Sequence, residues 1–178
     1  MEQKKTYAVI GHPIGHTMSP FIHQRLFALS GENAEYLVFD FPDAGAQEAQ
    51  ETLCALDGYN ITIPHKQAII PYLSTLDEKA LLFGSVNTVK NENGRAAGYT
   101  TDGAGFLRAV GAAGETLKGK NLLLGSGGAA RVLAFETVLA GGSLTIAVRG
   151  QSLEKAQKLA EELVSHVPGA EVAFCSFS

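Results

Sequence analysis

A short apolar run, Asn121 to Leu124, leads into Gly125-Ser126-Gly127-Gly128-Ala129-Ala130, and a helical pattern follows to about Ala140. This is the G-x-G-x-x-A pattern, read at Gly125, Gly127 and Ala130. It occurs where the pattern must occur to carry meaning, after a strand and at the opening of a helix. The glycines permit a tight turn and let backbone approach a pyrophosphate, whose charge meets the free N–H groups of the helix start. The alternative is a glycine-rich turn with no ligand. Either way, a strand, this turn and a helix predict a βαβ unit and a parallel sheet. Ser143 to Arg149 is the next strand, Ser152 to His166 an amphipathic helix, and Glu171 to Cys175 a third strand. A site for NAD places an acidic residue near the end of the second strand for the ribose hydroxyls. No Asp or Glu occurs between Ala140 and Leu153. Arg149 stands there, and an arginine suits a 2′-phosphate, so the expected cofactor is NADP.

A second stretch, Asn60-Ile61-Thr62-Ile63-Pro64-His65-Lys66, points to polar chemistry. Tyr59 to Ile63 alternates β-branched and aromatic residues and reads as a strand. Pro64 withholds a backbone donor and ends it. Asn60, Thr62 and Lys66 thus gather near a strand's carboxyl end, where ligands bind in open α/β sheets. An amide, a hydroxyl and an ammonium suit a polyhydroxylated small molecule. A solvated strand end is the plainer reading.

Around these stretches, strands and helices alternate. Thr6 to Ile10 reads as a buried strand, followed by the loop Gly11 to His16. Ser19 reads as a helix N-cap with Pro20 at the first helical position, and Gly31 closes the helix. The hydroxyls of Thr17 and Ser19 at a helix start are simple caps or an anion site. Glu35 to Phe41 is a strand and Gly45 to Leu56 a helix. Further helices span Lys66 to Tyr72 and Asp77 to Phe83. Asn93-Gly94, between Ser85–Lys90 and Arg95–Tyr99, marks an antiparallel hairpin. Asp102 opens a helix running to about Ala113, as a cap or as a functional carboxylate stabilised by the helix dipole. The expected fold class is α/β with a mostly parallel sheet.

Composition excludes several functions. The net charge is −4 and the pI about 5.7, which argues against a nucleic-acid surface. No apolar run approaches the ~20 residues that span a bilayer. Met1 to Thr6 leads straight into a strand without a signal-peptide core. Cys54 and Cys175 have no metal spacing and read as reduced thiols in a cytoplasmic protein. His12, His16, His23, His65 and His166 do not form a helical ligand pair with a third ligand, so no metal is expected.

Taken together, Gly-His-Pro-Ile-Gly-His-Thr-Met-Ser-Pro-Phe-Ile-His (11–23), Asn-Ile-Thr-Ile-Pro-His-Lys (60–66), Val-Asn-Thr (86–88), Thr-Asp-Gly-Ala-Gly (101–105) and Gly-Ser-Gly-Gly-Ala-Ala (125–130) resemble the shikimate dehydrogenase family. The resemblance implies a substrate domain over 1–103 and a Rossmann NADP-binding domain over 104–178, of which only the first half is present. It implies NADPH-dependent reduction of 3-dehydroshikimate to shikimate, in a monomer or homodimer. It places Thr17 and Ser19 on the substrate carboxylate, Asn60, Thr62, Asn87 and Asp102 on the ring hydroxyls, and Lys66 with Asp102 as the catalytic pair. Gly125, Ser126, Gly127, Gly128, Ala129, Ala130 and Arg149 would hold the cofactor. Thr17 stands where the family has serine, which bears on the choice between shikimate and quinate. Thr100 stands where asparagine is common, and Val148-Arg149-Gly150 replaces Asn-Arg-Thr. The chain ends after three Rossmann strands and reads as a piece of a longer protein. That leaves a quinate/shikimate dehydrogenase of broader specificity, or a non-catalytic shikimate-binding protein on the same scaffold, as alternatives.

Overall fold

The computed structural model describes residues 4–177. Met1 to Gln3, read above as the lead into the first strand, and Ser178 lie outside the described residues. The chain divides into two compact units, one ending at Thr100 and the other beginning at Thr101.

The first unit contains strands β1 (Lys5–Gly11), β2 (Ala34–Asp40), β3 (Gly58–Ile61), β4 (Thr75–Leu76), β5 (Thr88–Glu92) and β6 (Arg95–Tyr99). Helices α1 (Ser19–Ser30), α2 (Gln47–Cys54), α3 (His65–Ala68) and α4 (Glu78–Phe83) connect them, with a 3-10 turn at Ile70–Tyr72. The strands form one six-stranded sheet in the order β2-β1-β3-β5-β6-β4. β1 runs parallel to both β2 and β3, and β4 runs parallel to β6. β5 is antiparallel to β3 and to β6. Five of the six strands run one way and β5 alone runs against them, so the sheet is mixed yet mostly parallel, as expected. The hairpin accounts for the β5–β6 pair. Asn93 and Gly94 take positive φ values of 52° and 73°, the backbone of a tight two-residue turn, and fold β6 back along β5.

Alternation along β1 sorts its side chains between two cores. Ala8 and Ile10 join Leu53, Tyr59, Ile61, Ile69 and Val86 on one face. Val9 packs with Ile14 and Tyr36 on the other, flanked by Tyr7 and Phe27. Local chemistry sets several helix ends. Asp77 caps α4 by accepting a 2.7 Å hydrogen bond from the Ala80 N–H, and Gly84 closes that helix at φ 55°. Gly31 ends α1 at φ 73°. Ser19, expected as the cap of α1, is instead its first residue, and Met18 holds the cap position without a side-chain bond. The Ser19 N–H is already taken by the Thr17 hydroxyl at 3.2 Å, which pulls the serine into the first turn. The periodic residues of α1 do not reach the core. Ile22, Leu26 and Leu29 are 50%, 52% and 81% exposed, so only Phe27 among them packs inward.

The second unit contains α5 (Asp102–Ala112), β7 (Gly119–Leu124), α6 (Gly128–Leu139), β8 (Gly142–Arg149), a 3-10 turn at Gly150–Ser152, α7 (Leu153–His166) and β9 (Val172–Phe177). Its strands pair in parallel in the order β7-β8-β9. This matches the first half of a Rossmann domain. The central strand β8 buries Leu144, Ile146 and Val148, and α6 and α7 bury Phe135 and Leu163. The apolar run of β7 predicts a buried strand, but Leu122 and Leu124 are 67% and 68% exposed. Among the described residues β8 is its one neighbour in the sheet, and the face carrying Leu122 and Leu124 is left uncovered. Among the described residues, no helix is long and apolar enough to cross a membrane.

Among the glycines of the first sheet, the closest approach of backbone is at Gly58. A Cβ there would lie 2.7 Å from the Val89 carbonyl oxygen, and that oxygen is fixed in the β3–β5 pairing. In an unconstrained strand, alanine would be the better residue. Here Gly58→Ala is expected to destabilise the chain by about 2 kcal/mol through forced separation of the strands. Urea denaturation measures this, and an unchanged midpoint would contradict it.

Candidate active site

The residues singled out in the first unit converge at the carboxyl ends of β1 and β3. β1 delivers the chain into the loop 12–18. His12 Nδ1 and Asp40 Oδ1 are 2.6 Å apart, and Asp40 also accepts a 3.4 Å bond from the Ile14 N–H. Asp40 ends β2, so this pair ties the loop to the neighbouring strand. The hydrogen bond with His12 holds the Asp40 carboxyl below the usual carboxylate range, against the opposing effect of desolvation.

Two sets of hydrogen bonds hold the polar side chains near these strand ends. The Thr17 hydroxyl donates to Ser19 Oγ at 3.1 Å. The second set starts at Tyr36 on β2. Tyr36 donates to Asn60 Oδ1 at 2.6 Å. The Asn60 amide donates to Thr88 Oγ1 at 3.2 Å and to the Asn87 carbonyl at 3.4 Å. Thr88 in turn donates to Asn87 Oδ1 at 3.1 Å. Asn60 and Asn87, read separately from the sequence, are thus joined in one network through Tyr36 and Thr88, while Thr17 and Ser19 form a pair of their own at the start of α1. Tyr36 is 6% exposed, and burial raises its phenol above the ordinary range, with the Ser19 side chain opposing the rise. His23 stacks on the Tyr36 ring at 4.1 Å, and its Nδ1 lies 2.9 Å from the Ser19 carbonyl oxygen.

Thr62 and Lys66 follow Asn60 around the Pro64 turn. The Thr62 N–H bonds the Ile10 carbonyl at 2.9 Å, which docks the turn on β1. Lys66 is half-buried on α3, and its carbonyl accepts from the Val86 N–H at 2.8 Å. That bond fixes α3 beside the segment carrying Asn87. The buried imidazole of His65 anchors the same turn, with Nε2 2.6 Å from the Phe41 carbonyl oxygen. A groove of about 770 Å³ opens beside the network and is lined by Tyr7, Phe27, Tyr36, Asn60 and Lys90. Asn60 is the one predicted site residue on its wall. Among the described residues, the hydroxyls of Ser85 and Thr100 are buried without a hydrogen-bond partner.

Sequence reasoning missed Tyr36, Thr88, Asp40 and His23. Tyr36 lies in an aromatic and aliphatic strand and reads as core. Thr88 adjoins Asn87 within Val-Asn-Thr and was the one available signal.

In the second unit, Asp102 is the first residue of α5, with Thr101 at the cap position. Gly103 beside it is buried, and a Cβ there would collide with Glu136 Oε1 on α6. The glycine-rich turn links β7 to α6. Gly125 takes φ 107°, a left-handed conformation suited to glycine, and its N–H bonds the Ala147 carbonyl at 2.9 Å. Nothing lies within 4 Å of where side chains on Gly125 or Gly127 would project, so the turn is open above the start of α6. A pocket of about 320 Å³ adjoins it, lined by Gly125, Ser126, Arg149, Gln151, Ser152 and Phe177 among others. An open glycine turn at a twelve-residue helix start, with an exposed arginine at the end of the next strand, fits a phosphorylated nucleotide. Among the described residues, no group of three or more His, Cys, Asp or Glu could hold a metal ion.

These features are those of an α/β unit followed by the first half of a Rossmann unit, and comparison with known proteins gives the family. Residues 9–89 match the shikimate dehydrogenase substrate binding domain. The chain is 46% identical over 160 residues to the shikimate dehydrogenase (NADP(+)) of Moorella thermoacetica, covering 88% of this chain and 54% of that protein. A crystal structure of a shikimate dehydrogenase in complex with NADP+ superposes with a TM-score of 0.87 at 38% identity, over 97% of this chain and 61% of the other. The Thermus thermophilus shikimate 5-dehydrogenase in complex with NADP(H) and shikimate gives a TM-score of 0.82 at 31% identity, over 98% of this chain and 68% of that one. The chain belongs to the shikimate dehydrogenase family. It spans a little over half the length of the Moorella relative.

The helix pairing that supports the glycine turn yields a pH prediction. Arg131 Nη1 donates to Glu162 Oε2 at 2.6 Å, and Nη2 donates to Glu162 Oε1, tying α6 to α7. This bond holds the Glu162 carboxyl below its usual range. A carboxylate depressed on folding contributes stability that is complete above its unfolded value, roughly pH 4.3, and is lost as pH falls through the lower folded value. Glu162→Gln is therefore expected to flatten the loss of stability below about pH 5, as read by urea denaturation across pH. An unaltered acid slope would contradict this.

Proposed function

We propose that the chain carries the substrate site and the first half of the cofactor site of an NADP-dependent dehydrogenase that interconverts 3-dehydroshikimate and shikimate. The observation that supports this most strongly is the hydrogen-bonded set Tyr36–Asn60–Thr88–Asn87, together with the Thr17–Ser19 hydroxyl pair of the same unit. It gathers the hydroxyls and amides that a carboxylated, polyhydroxylated ring requires. In this reading Thr17 and Ser19 donate to the substrate carboxylate, while Asn60, Thr62, Asn87 and Asp102 meet the ring hydroxyls. NADPH, when bound at the glycine turn and Arg149, supplies the hydride. Reduction of the ketone builds negative charge on its oxygen. Lys66 stabilises that charge and delivers the proton, and Asp102 orients the ammonium and supports it electrostatically. The extra methyl of Thr17, relative to serine, narrows the carboxylate end and bears on shikimate against quinate. The two free cysteines agree with a cytoplasmic enzyme.

The test is the initial rate of NADP+ reduction with shikimate and with quinate. Lys66→Ala is expected to lower turnover by more than ~100-fold, the scale of losing a general acid–base group. A near-wild-type rate in that variant would remove Lys66 from the mechanism. Saturable binding of shikimate without turnover in the unaltered chain would favour a binding protein on this scaffold.

Arg149 gives a separate test of the cofactor. Arg149→Ala is expected to weaken NADP+ by about tenfold or more and to leave NAD+ unchanged, because only the former carries the 2′-phosphate. Equal losses for the two nucleotides, measured as dissociation constants, would count against that role.

A further inference from the structure

We infer that Glu136 is a positioning residue for Asp102: from α6, its buried carboxyl group accepts hydrogen bonds from the first turn of α5 and so fixes where Asp102 stands. The role of Asp102 toward substrate rests on the reading above. Glutamate is rarely enclosed in a protein without a partner. Glu136 is 4% exposed and lies within the run Ala134 to Val138 of α6, all of which is buried. Thr137 beside it settles its hydroxyl within the helix, donating to the Leu133 carbonyl at 2.8 Å. A carboxyl group cannot do likewise, because the N–H groups of a helix interior are already engaged. It has to meet donors from another element.

The element it meets is the start of α5. Asp102 is the first residue of that helix, and Thr101 holds the cap position without a side-chain bond to the turn. The Gly105 N–H bonds the Thr101 carbonyl at 3.0 Å and begins the helical ladder. The N–H groups of Asp102, Gly103 and Ala104 precede that bond, so the helix itself offers them no acceptor. Gly103 is buried, and bulk water does not serve its N–H. This is the residue that Glu136 touches. A Cβ on Gly103 would collide with Glu136 Oε1, and would lie 2.9 Å from its Cγ and 3.0 Å from its Cδ. Gly103 has no positive φ, so its backbone conformation does not require glycine. The contact requires it, because the missing side chain is what lets the carboxyl group reach the turn. An oxygen acceptor is favoured at a helix start, where N–H dipoles point outward. α6 also opens at the glycine turn, so one buried group ties the helix of that turn to the helix that begins with Asp102.

The experiment compares the full chain with Glu136→Leu and Glu136→Gln. Amide hydrogen exchange is followed residue by residue by ¹⁵N NMR, and shikimate is titrated by calorimetry. In Glu136→Leu the Gly103 amide is expected to exchange about tenfold faster or more, while the amides of Leu144 to Val148 in β8 keep their protection. A general loss of stability would speed both. Shikimate is expected to bind about fivefold more weakly to the same variant. Glu136→Gln keeps an acceptor oxygen at the same reach and is expected to restore both readouts to within about threefold of the unaltered chain. If Glu136→Leu does not fold, Gly103→Ala puts a methyl group where the carboxyl group stands, and the same local rise in exchange is expected at position 103. Unchanged exchange there, in a folded Glu136→Leu chain or in Gly103→Ala where that variant is needed, overturns the inference and leaves the substrate reading standing. Faster exchange with unaltered shikimate affinity overturns the positioning role and makes Glu136 a helix cap alone. Absence of shikimate binding in the unaltered chain overturns the substrate reading and with it the role of Asp102, and the exchange measurement, which needs no ligand, tells that failure from a failure of the Glu136 contact.

Discussion

The site depends on where β3 lies. This strand, Gly58–Ile61, is four residues long, yet it is paired on both edges, parallel to β1 and antiparallel to β5. Gly58 lets the Val89 carbonyl close to a distance no side chain would permit. The strand then presents Asn60 between β1 and β5 and delivers Thr62, His65 and Lys66 into a turn docked on Ile10 and Phe41. A strand this short cannot hold a turn in place by its own hydrogen bonds. Pairing on both sides, with Tyr59 and Ile61 packed beneath, makes it rigid enough to position polar groups.

Rigidity at one strand end does not by itself assemble a binding site, because the partners come from distant parts of the sequence. Thr17 and Ser19 arrive at the start of α1, Tyr36 from β2 and Asn87 from the segment before β5. What joins them is polar. Tyr36, Asn60, Thr88 and Asn87 bond one another in turn and Thr17 pairs with Ser19, so these groups are satisfied and held in place. Such a surface suits a ligand with a carboxylate and several hydroxyls, and the family to which the chain belongs contains a structure in complex with shikimate. The second unit supplies the other requirement, an open glycine turn at a helix start beside an arginine.

Much of this was legible in the residues themselves. Asn93-Gly94 gave the hairpin because those two residues favour the positive φ values that the turn needs. The glycine-rich run gave the βαβ unit for the same kind of reason. Pro64 marked the end of β3, although the strand stops earlier, at Ile61. Other features were hidden. β4 has only Thr75 and Leu76, too short to show a period. The mixed pairing of the first sheet follows from β5 lying beside β3, a long-range choice that no local pattern encodes. Tyr36 resembles an ordinary core residue of β2, because only the fold reveals what its hydroxyl reaches. α1 carries apolar residues at Ile22, Leu26, Phe27 and Leu29, yet Leu26 and Leu29 are exposed. Periodicity reports that a face is apolar and does not identify what covers it.

The most direct test of the central claim, that this polar line and the turn after β3 form a substrate site, is a backbone amide NMR titration of the full chain with shikimate. The account predicts saturable shifts at Thr17, Ser19, Asn60, Thr62, Lys66 and Asn87. Shifts that are absent, or confined to the groove beside Tyr7 and Lys90, would contradict it.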